Sequence, residues 1–205
     1  MVIKPAVGPP AHNRKEHPVK SIQRTVLLGI ILARSPSALA AGDASSQEFW
    51  QTPALPGVGK MHPLPKAAYQ PQPNETYKVV FSVTKAGSKP DELNPSLDRV
   101  ARTVNLYASA GVPLSHLKFV AVMYGAATDA ALDSEHYRQK YGMDNPNLDL
   151  IRKLRKAGVD VAVCGQAAAE HQDQYEWIAP EVTLALSALT TITTLEHRGY
   201  VLMPL

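Results

Sequence analysis

From Tyr77 onward, two hydrophobic periods alternate along the chain. Tyr77 to Thr84 is a short run rich in β-branched and aromatic residues, the signature of a strand. Lys85 to Asp91 has the composition of a loop. Asn94-Pro95 then reads as an N-cap followed by proline at the first helical position. Leu97, Val100, Ala101, Val104 and Ala108 recur at helical spacing, and Gly111 ends the helix. Leu117 to Tyr124 is a second strand, closed by Gly125. Ala126 to Met143 is read as a loop with a short polar helix. Asn145-Pro146 repeats the cap-then-proline signal, and Leu148, Ile151 and Leu154 form the buried stripe of the helix that follows. Arg152, Lys153, Arg155 and Lys156 make its solvated face. Val159 to Gly165 is a third strand, ending at Cys164, with a helical stretch from Gln166 to His171 directly after it. Val182 to Ser187 is a fourth strand. Leu189, Ile192 and Leu195 mark a last helix, stopped by Gly199, and Tyr200 to Met203 is a fifth strand.

This alternation predicts an α/β fold: a three-layer α/β/α sandwich with a mainly parallel sheet of about five strands. Right-handed crossovers bring the carboxyl ends of parallel strands to one edge, where ligands of open α/β sheets bind. Thr84 to Gly87, Tyr124 to Thr128 and Cys164 to Gln166 are expected to meet there. A thiol between a strand end and a helix start sits where backbone N–H groups and the helix dipole favour the thiolate. The alternative is a small buried hydrophobe, a common fate of free cysteine. Asn105 is the polar residue on the apolar face of the first helix, four after Ala101 and three before Ala108. A buried amide must find partners or cost a few kcal/mol. It either bonds a loop backbone or lines the site.

The N-terminal third differs. Lys20 and Arg24 precede the apolar stretch Thr25 to Ala33, and Ala38-Leu39-Ala40 follows as an A-x-A cleavage pattern, so residues 1–40 read as an export signal. Residues 41–76 read as a proline-rich extended segment, with Pro53, Pro56, Pro63, Pro65, Pro71 and Pro73 denying it a period. A solvated tail is the default expectation for it, with Phe49 and Trp50 as docking candidates. Residues 77–205 are the folded domain. The formal charge of +3 conceals a split, because residues 1–40 contribute +5 and the remainder −2. The basic pI of the whole therefore gives no reason to expect nucleic acid. No apolar run approaches the roughly 20 residues that span a bilayer, so no membrane partner is expected after cleavage. A single cysteine excludes an intrachain disulfide framework and a cysteine-based zinc cluster. No dinucleotide fingerprint, P-loop or G-x-S-x-G is present, and no cofactor or metal is expected. Glu135 and His136 are adjacent, so on a helix they diverge and make a poor metal pair.

Three stretches carry a resemblance. Gly158-Val-Asp-Val-Ala-Val-Cys-Gly-Gln, the strand ending Val-Met-Tyr-Gly125, and Leu-Ser-Ala-Leu-Thr-Thr through Gly199-Tyr-Val-Leu resemble the DsrE/DsrF-like family over Tyr77 to Leu205. The resemblance implies a small three-layer α/β domain that assembles as a homo-oligomer, a trimer or hexamer. It also implies that Cys164, after the third strand, carries sulfur as a persulfide. The chain departs from the sulfur-relay branch in its export signal, in Gly-Gln-Ala-Ala-Ala after the cysteine, and in having no second cysteine. A relay would therefore need a partner thiol, on a protein or a small sulfur compound.

The expected function is thus a sulfur-handling protein that is periplasmic or otherwise exported. Cys164 would be the nucleophile, and Asn105, Tyr124, Gly125, Gly165 and Gln166 would line its pocket. The competing class is a non-enzymatic ligand-binding module or oligomeric scaffold in which Cys164 is structural. A third, a Cys–His hydrolase or transferase using His136 or His171, lacks a recognisable third member.

Overall fold

Strand β1 (Tyr77–Val83) is apolar on both faces. Val79, Phe81 and Val83 pack into one core and Val80 into another. β2 (Leu117–Met123) repeats the division, with Leu117, Phe119, Ala121 and Met123 opposite Val120 and Val122. In β3 (Asp160–Cys164), Val161 and Val163 enter the first core and Cys164 the second. Burial on both faces is what a parallel strand requires. The sheet is five-stranded and parallel throughout, in the order β4-β3-β2-β1-β5, with the short strands β4 (Thr183–Ala185) and β5 (Val201–Pro204) at its edges. These assignments come from a computed structural model that describes residues 49–205, which lie within one compact unit. The expected export signal at residues 1–40 lies outside the described residues.

One face is thickly covered. Helix α1 (Pro95–Ser109) starts as expected, with the Asn94 side chain accepting from Ser96 N and Leu97 N. Its stripe of Leu97, Val100, Ala101 and Val104 packs on the sheet, and Phe81 meets Phe119 edge to face at 5.3 Å beneath it. A 3₁₀ turn (Gly125–Ala131), α2 (Ser134–Tyr141) and α3 (Leu148–Lys156) complete that layer. The opposite face carries the six-residue α4 (Gly165–Glu170) and α5 (Ala188–His197) over a much smaller core of Val80, Val120, Val122, Cys164, Ala167 and Ala188. Among the described residues no helix is long and apolar enough to cross a membrane.

The second cap-then-proline signal does not start a helix at Pro146. α3 begins at Leu148, and Asn145 serves the loops instead. Its Nδ2 donates to the carbonyls of Ala130 (3.0 Å) and Leu132 (2.6 Å), and its Oδ1 accepts from Asn147 N (2.9 Å). Asn147 Oδ1 in turn accepts from Asn94 N at 2.7 Å, and Asn94 Nδ2 donates to Lys85 O at 2.7 Å. Three buried asparagines thus join the loops after β1 and β2 to the start of α3.

The proline-rich segment is docked over residues 51–61, while residues 64–70 and 72–76 are exposed. Residues 51 and 61 form an antiparallel bridge, and Leu55 and Met61 are 3% and 2% exposed. Asn105 holds this strap. Its Oδ1 accepts from Ala54 N (3.0 Å) and Leu55 N (2.9 Å), and its Nδ2 donates to Val58 O and Gly59 O, both at 2.9 Å. Asp98 Oδ1 accepts from Gly59 N at 2.7 Å. Gly59 has φ +60°, and a Cβ there would lie 2.3 Å from Arg102 N on α1. Only glycine lets the strap approach the helix this closely. Phe49 stacks on His62 at 4.1 Å, at the outer end of the strap.

Asn105→Ala would leave two buried and two half-buried backbone groups without that partner and is expected to cost about 3 kcal/mol in urea unfolding. Gly59→Ala should lift the same segment by steric clash. Hydrogen exchange at residues 54–59 should accelerate in both variants, more than in β3. Unchanged exchange there would show that the strap is held by something else.

Candidate functional site at the carboxyl edge of the sheet

Register aligns the strand ends. Val83 pairs with Met123, Met123 with Val163, and Cys164 with Ala185. The chain leaves β3 at Cys164 and enters α4 at once, so the thiol is the N-cap of that helix. Its Sγ accepts a long hydrogen bond from Ala167 N at 3.4 Å. Cys164 is 5% exposed and forms the floor of a cleft of about 240 Å³ between α4 and the start of α5.

Tyr124, Gly125 and Gln166 line this cleft. Tyr124 is fixed by its hydroxyl, 2.7 Å from Ser82 Oγ on β1. Gln166 Nε2 donates to Leu186 O at 3.3 Å, bridging α4 to the strand-to-helix turn after β4. Gly165 borders an adjoining groove of about 280 Å³ beside β4. A Cβ on Gly165 would stand 3.0 Å from Ala185 O, so glycine lets α4 start against the edge strand. Asn105 does not belong to the cleft. Its amide is consumed by the strap, and the structural alternative for it is the correct one. Sequence reasoning missed Ser187, Leu189, Ile192 and Glu170, which also line the cleft. Ser187 was legible as a helix cap, since its Oγ accepts from Leu189 N at 3.1 Å.

A second group of side chains stands at the far end of α4. His171, the C-cap of α4, places Nδ1 2.7 Å from Asp129 Oδ1. Lys140 Nζ lies 2.9 Å from Asp129 Oδ2 and 3.4 Å from Asp173 Oδ1, and the Tyr141 hydroxyl donates to Asp129 Oδ2. Burial alone would raise the Asp129 carboxyl. The hydrogen bonds from Tyr141, Lys140 and His171 outweigh it and hold Asp129 below the usual carboxylate range. Burial and the Asp129 charge push the Tyr141 phenol strongly upward, so it remains a donor. Asp129 also borders a cleft of about 170 Å³ with Tyr137, Tyr141 and the loop after β1. Neither histidine considered as a partner for Cys164 is oriented toward acyl transfer. His171 is committed to Asp129. His136 hydrogen-bonds Asp133 and stacks on Trp177 at 4.8 Å. No sequence period marks the Asp129 group, because its members come from three separate segments.

The model of the DsrE/DsrF-like family matches residues 77–205. The chain belongs to the DsrE/DsrF-like family. This membership relates it to sulfur relay. Among solved structures, a protein of unknown function from Methanobacterium thermoautotrophicum, MTH1491, is similar over 63% of this chain and 99% of that one. The two are 14% identical, with a TM-score of 0.45. No curated protein matches the chain.

Helix α2 carries Lys140 and Tyr141 into the Asp129 group, and its own start depends on Asp133. The Asp133 side chain accepts from His136 N at 2.8 Å and from His136 Nδ1. Burial opposes the Asp133 charge, but these bonds prevail and lower its carboxyl below the ordinary value. A folded value below the unfolded one, about 3.9, gives stability that is present above that pH. It is lost as pH falls through the folded value. Asp133→Asn keeps a capping acceptor and removes the charge. It should cost about 0.5–1 kcal/mol at pH 7 and nothing at the acid end. A pH-independent difference in denaturant unfolding would contradict this.

Proposed function

We propose that this family member handles sulfur through Cys164. The supporting observation is the position of the chain's single cysteine, on the floor of a half-open cleft at the carboxyl edge of the sheet. The Cys164 thiolate attacks the outer sulfur of a donor such as thiosulfate. A sulfur–sulfur bond forms on the cysteine, the donor's own bond breaks, and sulfite leaves with the electron pair. An acceptor thiolate then attacks the outer sulfur of the persulfide and regenerates Cys164. The two transfers need no external oxidant or reductant. With no second cysteine in the chain, the acceptor is a thiol on another molecule. Exposed thiolates oxidise readily, and the shelter of the cleft limits that loss. Tyr124, Gln166 and Ser187 supply polar groups at its rim.

We further propose that the protein is exported, to a periplasm or another exterior compartment, with cleavage after Ala40, and works as a homotrimer or homohexamer. The exposed apolar residues Leu184 (45%), Leu186 (73%) and Leu189 (79%) support assembly, since they adjoin the cleft and the groove beside it. The burial of Cys164 favours a second reading, in which the thiol is a packing group of the smaller core and the domain is a binding module or scaffold.

Native mass spectrometry of the exported protein, with and without thiosulfate or polysulfide, separates these readings. The sulfur-handling reading expects a trimer or hexamer beginning at Ala41, with one added sulfur per subunit that is lost in Cys164→Ser. An oligomer that takes up no sulfur on Cys164 would leave the scaffold reading standing. A monomer would remove the assembly claim.

A further inference from the structure

The Asp129 group contains a carboxylate that its neighbours do not satisfy. Asp173 is 7% exposed. Its Oδ1 has one long contact, 3.4 Å to Lys140 Nζ, and its Oδ2 is buried without a hydrogen-bond partner. A buried carboxylate so poorly served is costly to desolvate and favours a cation beside it. The carboxyl group is turned toward Lys140, the same ammonium that pairs with Asp129. One donor atom each from Asp129, His171 and Asp173 lie within 4.8 Å of one another.

We propose that Asp129, His171 and Asp173 form a binding site for a divalent transition-metal ion of the zinc class. One imidazole nitrogen and two carboxylate oxygens are a borderline-hard donor set, which suits zinc better than magnesium or calcium. Three protein ligands also leave a fourth coordination position for water or a small ligand. The charge balance favours the ion. Two carboxylates against one lysine leave the group at −1 with His171 neutral, and a divalent ion in place of the ammonium brings it to zero. Ligands sharing one zinc ion stand about 3.3 Å apart, so the widest separation in the group must close by up to about 1.5 Å. Asp173 supplies an oxygen that gives up no hydrogen bond in doing so. Lys140 occupies the position of the cation and holds the carboxylates together until it is displaced. Its side chain is 34% exposed on the last turn of α2, so it can swing into water. Tyr141 donates to Asp129 and orients that carboxylate, the outer-shell support that metal ligands usually have. The site is independent of Cys164 and of the sulfur reading.

Zinc titrated calorimetrically into the purified chain is expected to bind at one equivalent with micromolar affinity or better, and Cys164→Ser should bind it equally. His171→Ala and Asp173→Asn should each weaken binding by about tenfold or more. Lys140→Met removes the competing cation and should tighten it by about tenfold, a gain that misfolding cannot produce. Zinc should also raise the melting temperature of the wild type, with no rise in Asp173→Asn. The proposal is overturned by no binding, by binding that survives both ligand substitutions, by loss of binding in Cys164→Ser, or by weaker binding in Lys140→Met.

Discussion

A sheet whose strands all run parallel sends its crossovers over the same edges, and the loops there bury backbone groups that the strands cannot satisfy. In this protein asparagine amides meet that constraint. Asn94, Asn145 and Asn147 hand hydrogen bonds from the loop after β1 to the loop after β2 and the start of α3. Asn105 does the same for the strap on the outside of α1. An amide carries both donors and an acceptor without a charge, so it can link two backbones where a carboxylate would satisfy only donors. The positions of Tyr124, Asp129 and Ala130 at the carboxyl edge follow from this bracing, because the loop that carries them is held from beneath by Asn145.

The two faces of the sheet are unequal, and the difference determines where the clefts lie. The first face has α1, α2, α3 and the strap, and it buries the larger core. The second has one six-residue helix and α5, whose Ala188 is buried while Leu189 is largely exposed. A thin layer leaves gaps at its ends. The Cys164 cleft is one such gap, floored by the smaller core and walled by the beginnings of α4 and α5. The thiol is therefore sheltered by packing and still reachable from the edge.

The strands and their mainly parallel arrangement could be read from the sequence, because each strand is a short apolar run bounded by helical periods. Gly111 and Gly199 stop the helices as their spacing implied, and Asn94-Pro95 starts α1. The identical dipeptide at Asn145-Pro146 misleads for a physical reason. Its amide is claimed by the carbonyls of Ala130 and Leu132, so the helix starts two residues later. The strap was hidden because proline suppresses periodicity whether a segment is solvated or docked. Asn105 was its one visible trace, a polar residue on an apolar helix face. Cys164, Tyr124 and Gln166 were legible because they follow strand ends. The Asp129 group was not, since long-range contacts assemble it.

α4 joins the two chemical regions. Cys164 is its N-cap and His171 its C-cap, on a single rod about 9 Å long. A helix this short has no interior slack, so a shift of His171 toward a ligand must be absorbed by rotation about the Gly165 end or carried to the thiol. At the Gly165 end a Cβ would stand 3.0 Å from Ala185 O, so only the absence of a side chain lets α4 begin there. His171 and Cys164 therefore share one short element, although the thiol itself is no member of the Asp129 group. Lys140 belongs to α2, so the cation of the Asp129 group is carried by a different element from its imidazole.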